Sequence, residues 1–266
     1  MGRVAAGGAA AALLVTSGIV WAGSCGRTAP RITTSLGLRG VAQHLRAGEP
    51  VRILAIGSSS TEGVGASDKA HSYPAQLAQR LRAAWPSADI EIRNAGIGGE
   101  TADETLARLE GLLSESRKPD LVLWQVGTND AVRGTGEEAF ERRLRHGIAL
   151  VKQAGSELVI LDQQFFPGIK DVAQYERYVR TIETNAASAH VAVFSRYALM
   201  RGWASEDPAL LAGMLSRDGF HMSDKGYSCL ADSLSGEMVA TVDRTVSRRE
   251  VAQAKHGSRT VTAEAR

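Results

Sequence analysis

From Val51 onward, short apolar runs alternate with longer amphipathic stretches, and this alternation constrains the fold more than any other feature of the chain. The strand candidates are residues 51–56, 90–93, 121–126, 158–161 and 191–194. The spacing of apolar positions predicts helices over 73–84, 101–115, 137–153, 172–188 and 226–242, with a short helical pattern at 41–46. The strands lack the polar–apolar alternation of a sheet with one wet face. Both faces are therefore covered, which argues a parallel sheet buried between helix layers. Ligands of such a sheet bind beyond the carboxyl ends of its strands, so the chemistry should lie in the residues just after them.

Those residues are distinctive. The first strand is followed by GSSSTEG (57–63), the second by NAGIGGET (94–101), and the third by GTND (127–130). Before the last helix stands DGFHMSDKGY (218–227). Each alone is weak, because glycine and asparagine are ordinary turn residues. A phosphate cradle of the Walker type needs a Gly-Lys-Ser/Thr that the first loop lacks. A Ser/Thr loop around a flavin phosphate leaves DGFH without a role. A nucleophile reading uses all four segments. A serine hydroxyl needs a base to take its proton, the imidazole of a base needs an orienting partner, and acyl transfer needs donors for the developing oxyanion. DGFH supplies base and orienter in one turn, the Gly99 N–H can approach a substrate closely, and the Asn129 amide can donate.

In this order the segments resemble the SGNH/GDSL hydrolases, named for their signature Ser, Gly, Asn and His. The resemblance spans residues 51–242. It implies an α/β/α three-layer sandwich, flavodoxin-like, with a central parallel sheet of about five strands. Where the family's first block reads Gly-Asp-Ser, this chain has Gly57-Ser58-Ser59-Ser60; the displaced Asp is not the triad carboxylate. Matching the blocks assigns Ser59 as nucleophile, His221 as base and Asp218 as its orienter, with the Ser59 N–H, the Gly99 N–H and the Asn129 side chain as oxyanion donors. The implied activity is two-step cleavage of carboxylic esters, including O-acetyl or short-acyl esters of carbohydrates, with no metal or organic cofactor. Lysophospholipase or thioesterase specificity, acyl transfer to a sugar, and a non-catalytic carbohydrate-binding role are the alternatives. Gln164 and Phe165, after the fourth strand, are candidates for lining the substrate pocket. Trp124 and Gln125, inside the third strand, read as core-facing. Among six histidines only His221 has a carboxylate partner in a family block, and none has metal-ligand spacing.

Composition adds boundaries. The 31 basic and 29 acidic residues leave a formal charge of +2, too little for an electrostatic nucleic-acid footprint. Residues 1–24 start with Arg3 and continue as an uncharged Ala/Val/Leu/Gly stretch, the pattern of a secretory signal; a retained membrane segment is the alternative. The expected destination is periplasmic or extracellular, with membrane contact only through that segment or through lipid on Cys25. Residues 25–50 form an extension and 51–242 the hydrolase domain. The polar stretch 243–266 reads as a disordered tail. The two cysteines, Cys25 and Cys229, are expected to form one disulfide in an oxidising compartment.

Overall fold

The computed structural model describes residues 25–26 and 38–264, with side chains as far as 246; the signal-like segment 1–24 lies outside the described residues. Five strands, β1 (Val51–Gly57), β2 (Ile90–Gly96), β3 (Leu121–Gln125), β4 (Glu157–Leu161) and β5 (Ala192–Phe194), form one sheet in the order β2-β1-β3-β4-β5. Every pair is parallel, with Val51 against Ile90, Ile53 against Leu121, Leu121 against Glu157 and Val159 against Ala192. The expected sheet is the sheet found.

Successive residues of a strand face opposite layers, and β1 shows it. Val51, Ile53 and Ala55 pack into one apolar cluster with Leu77 and Leu81 of α3 (Tyr73–Ala84) and Leu230, Leu234 and Met238 of α10 (Asp224–Glu264). Leu54 and Ile56 enter a second cluster with Leu106 and Leu109 of α4 (Ala102–Leu113) and Phe140 and Leu144 of α6 (Glu137–Gln153). Tyr178 and Ile182 of α7 (Val172–Ala189) complete that second layer. The first layer is completed by α1 (Arg39–Ala47), α8 (Arg196–Glu206) and α9 (Pro208–Met214). Cys25 is joined to Cys229 of α10, and the Trp203 indole N–H donates to the Cys25 carbonyl at 2.8 Å.

Two short helices escape the sequence pattern, α2 (Ser59–Glu62) and α5 (Thr128–Arg133), each beginning directly beyond a strand. The last helix is longer than its sequence pattern. It starts at Asp224 and continues to Glu264, so the stretch expected to be disordered from 243 is helical over nearly all of its length. That stretch has five Arg, four Ala and no proline, so local propensity permits the helix without any apolar periodicity.

The sheet order places the site. The chain leaves β1 for one neighbour, β2, and then crosses back over β1 to form the other, β3. The loops after β1 and β3 therefore diverge to opposite layers and leave a crevice at their carboxyl ends.

Candidate active site

Three consecutive serines open α2, and their hydroxyls have different partners. Ser58 Oγ donates to Gln125 Oε1 at 3.1 Å, and the Ser58 N–H reaches the same oxygen at 2.9 Å. Ser60 Oγ donates to Gln164 Oε1 at 3.1 Å. Ser59 Oγ lies 3.0 Å from His221 Nε2. Ser58 and Ser60 anchor the turn on either side of the residue whose hydroxyl meets the imidazole.

His221 and Asp218 share a small closed loop. Ser216 N–H donates to the His221 carbonyl at 2.8 Å, Leu215 and Met222 bridge antiparallel, and Ser223 N–H donates to the Met214 carbonyl at 2.9 Å. Asp218 Oδ2 lies 2.6 Å from His221 Nδ1. Asp218 Oδ1 accepts from the Phe220 and His221 N–H groups at 2.9 Å and from the Ser216 hydroxyl at 2.7 Å. Partial burial pushes the Asp218 carboxyl upward, but the His221 ring and these donors together outweigh it and hold the acid well below the usual carboxylate range. An ionised Asp218 can only accept, so Nδ1 carries the proton and Nε2 is left as an acceptor facing Ser59. The Phe220 ring stands edge-on to His221 at 4.8 Å and to Phe166 at 4.7 Å, which limits how the imidazole can turn.

The donor side comes from the loops after β2 and β3. Gly99 has φ +82°, the left-handed conformation that favours glycine, in a turn where Gly98 N–H donates to Glu62 Oε2 at 2.6 Å. Among the described residues the backbone N–H groups of Ser59 and Gly99 donate to no protein acceptor. Asn129 Nδ2 gives one hydrogen to the Glu100 carbonyl at 2.8 Å, which fixes the amide and leaves its second hydrogen free. Glu100 is itself clamped by Arg108, whose Nε donates to Oε1 at 2.7 Å. The arrangement therefore places a hydroxyl, an acceptor imidazole, an anionic orienter and three open N–H donors at one edge of the sheet. That is the equipment for attack on a carbonyl carbon.

Several positioning residues were not read from the sequence. Gln125, expected to face the core, ends β3 with its amide oxygen taken by Ser58 and by Thr61 Oγ1 at 3.2 Å. Its signal was visible: a lone amide closing an otherwise apolar strand. Asp130, next to Asn129, accepts from the Ala102 N–H at the start of α4, at 3.0 Å. Burial raises its pKa against those hydrogen bonds. Gln164, expected to line the pocket, is 1% exposed and bridges two loops, its Nε2 donating to the Phe220 carbonyl at 2.9 Å while Oε1 holds Ser60. Both ends of its amide are taken by protein, so it sets the gap between nucleophile and base. Phe165 stays half-buried, edge-on to Tyr197 at 5.8 Å. Beneath these loops Arg196 is fully buried, donating to the Asp162 carbonyl and to Thr128 Oγ1, each at 3.2 Å.

A family model described as the Non-GDSL lipase-like family matches residues 24–244. Esterase TesA of Pseudomonas aeruginosa is 28% identical over 171 residues, which cover 64% of this chain and 78% of that protein. A crystal structure of TesA superimposes with a TM-score of 0.61 at 25% identity, covering 71% of this chain and 99% of that one. A two-domain esterase (CEX) active on acetylated mannans superimposes at 0.66 with 21% identity, over 82% of this chain and 55% of the other; at that identity the likeness concerns the fold.

Proposed function

The chain belongs to the Non-GDSL lipase-like family and is an esterase-type hydrolase, and from that premise we propose that it cleaves carboxylic esters with Ser59 as nucleophile. The observation that carries this reading is the unbroken line from Asp218 Oδ2 through His221 to Ser59 Oγ, at 2.6 and 3.0 Å. His221 Nε2 takes the Ser59 proton as Oγ attacks the ester carbonyl, and the Asp218 carboxylate holds the imidazolium that forms. The Ser59 N–H, the Gly99 N–H and the free Asn129 hydrogen receive the oxyanion. Collapse of the tetrahedral adduct expels the alcohol, which takes the proton from His221 and leaves an acyl-Ser59. Water, deprotonated by His221, attacks that ester; the second adduct collapses to release the acid and restore the serine.

Export to an oxidising compartment is part of the proposal, supported by the Cys25–Cys229 bond. No described helix is long and apolar enough to cross a membrane. Intact mass of the exported protein checks the state of Cys25.

The test is fluorophosphonate labelling of the purified protein with peptide mapping, alongside hydrolysis of p-nitrophenyl acetate. A label on Ser59, with a fall in kcat on the order of 10⁴ or more in Ser59→Ala, is expected. A folded wild type that takes no label would sink the hydrolase assignment. Adding an acceptor sugar and following acylated sugar against free acid separates transfer from hydrolysis.

A further inference from the structure

Among the described residues the Gly99 N–H donates to no protein acceptor, and each N–H beside it in the turn is held. The Gly98 N–H donates to Glu62 Oε2 at 2.6 Å, and the Glu100 N–H reaches back to the Ile97 carbonyl at 3.4 Å. Beyond them the Thr101 N–H donates to Glu104 Oε2 at 2.7 Å and the Ala102 N–H to Asp130 Oδ2 at 3.0 Å. Three of these four acceptors are carboxylates, which hold an N–H more tightly than a neutral oxygen does. The segment is therefore pinned on both sides of the one donor left open.

The three carboxylates are not equivalent. Glu104 belongs to α4 and Asp130 to α5, so both fix the far side of the turn. Glu62 belongs to α2, three residues after Ser59, a spacing that puts both on one helix face. A Cβ added to Gly98 would lie 2.9 Å from Glu62 Oε2 and 3.9 Å from Ser59 Cβ, so the carboxylate meets the turn beside the nucleophile. Two other ties join the same loops further back. The Ile97 N–H donates to the Gly57 carbonyl at 3.0 Å, and Asn94 Nδ2 donates to the Thr61 carbonyl at 2.7 Å. Glu62 grips the residue next to Gly99 itself.

We infer that Glu62 is a positioning residue, which holds the Gly99 N–H at its working distance from Ser59 by acting through Gly98; this rests on Ser59 as the nucleophile and Gly99 as an oxyanion donor. The oxyanion exists only in the tetrahedral adducts, so a displaced donor weakens the transition state and leaves substrate binding as it was. An adduct forms in acylation and again in deacylation, so both steps slow together and KM changes little. The role needs an acceptor oxygen rather than a charge, and a glutamine amide supplies one.

The experiment measures kcat, KM and Tm for wild type, Glu62→Ala and Glu62→Gln with p-nitrophenyl acetate as substrate. In Glu62→Ala kcat should fall about ten- to a hundredfold with KM within about twofold, and Glu62→Gln should recover most of the loss. Tm should stay within about 2 °C in both, because Glu62 is exposed. Wild-type kcat in Glu62→Ala overturns the inference, and so does a loss confined to KM. A kcat loss that Glu62→Gln does not recover, or that a fall in Tm accompanies, overturns it as well. In all of these the hydrolase reading stands; it falls only if wild type turns over no ester and takes no label on Ser59.

Discussion

Asp162 is a carboxylic acid cut off from water at the end of β4. Its Oδ2 accepts from the Ser195 hydroxyl at 2.6 Å and its Oδ1 from the Tyr197 N–H at 2.8 Å. Burial pushes its pKa up from 3.8 to about 7, against those hydrogen bonds and the nearby Arg196 guanidinium. The folded value lies above the unfolded one, so between them the folded chain holds a proton that the unfolded chain has released. Stability from the neutral form is complete below the unfolded value and is lost as pH rises toward 7. Asp162→Asn should therefore flatten the fall of Tm between about pH 4 and pH 7 relative to wild type, and equal slopes in that window would refute the shift. Nothing in the sequence marks Asp162, because its elevation depends on a depth and on partners 33 and 35 residues away. Asp218 is the opposite case. Its partners lie within three residues, so the DGFH turn was legible as it stands.

At the scale of elements, α3 and α6 match their predicted bounds because twelve and seventeen residues are long enough to show a period. The helices α2 and α5, four and six residues long, are too short to show one, and both begin at the carboxyl end of a strand where the site needs them. The packing of α6 depends on Gly147, where a Cβ would overlap the buried Trp124 ring of β3. Gly147→Ala raises helix propensity by about 1 kcal/mol yet forces Trp124 or the helix to move, which costs about 1–3 kcal/mol. Net destabilisation is the expected outcome in urea unfolding; a stabilised variant would mean that helix and sheet do not meet at this contact. The sequence could not expose this either, since the clash partner is 23 residues away.

Across the whole molecule, Cys25 and Cys229 close a loop of sequence separation 204, which ties the start of the described chain to its last helix. Cys25→Ser with Cys229→Ser should lower unfolding stability by about 2–4 kcal/mol relative to the oxidised protein. Equal stability of the two proteins would show that the bridge adds nothing beyond existing packing. The order of the four segments was legible at this scale, and the three that follow strands reach one edge because the sheet is parallel. Which side chains lock them together was not, and Gln164 is the example: its two partners are 104 and 56 residues distant. Its place between two self-contained pieces has a further consequence. Base and orienter belong to one closed loop and the nucleophile to α2, so their alignment depends on how the two pieces are held together, and the Gln164 amide is one strut between them. Ester turnover on warming is therefore expected to fade at a lower temperature than the one at which far-ultraviolet circular dichroism reports loss of the sheet; coincident midpoints would show that the two pieces part only when the fold does.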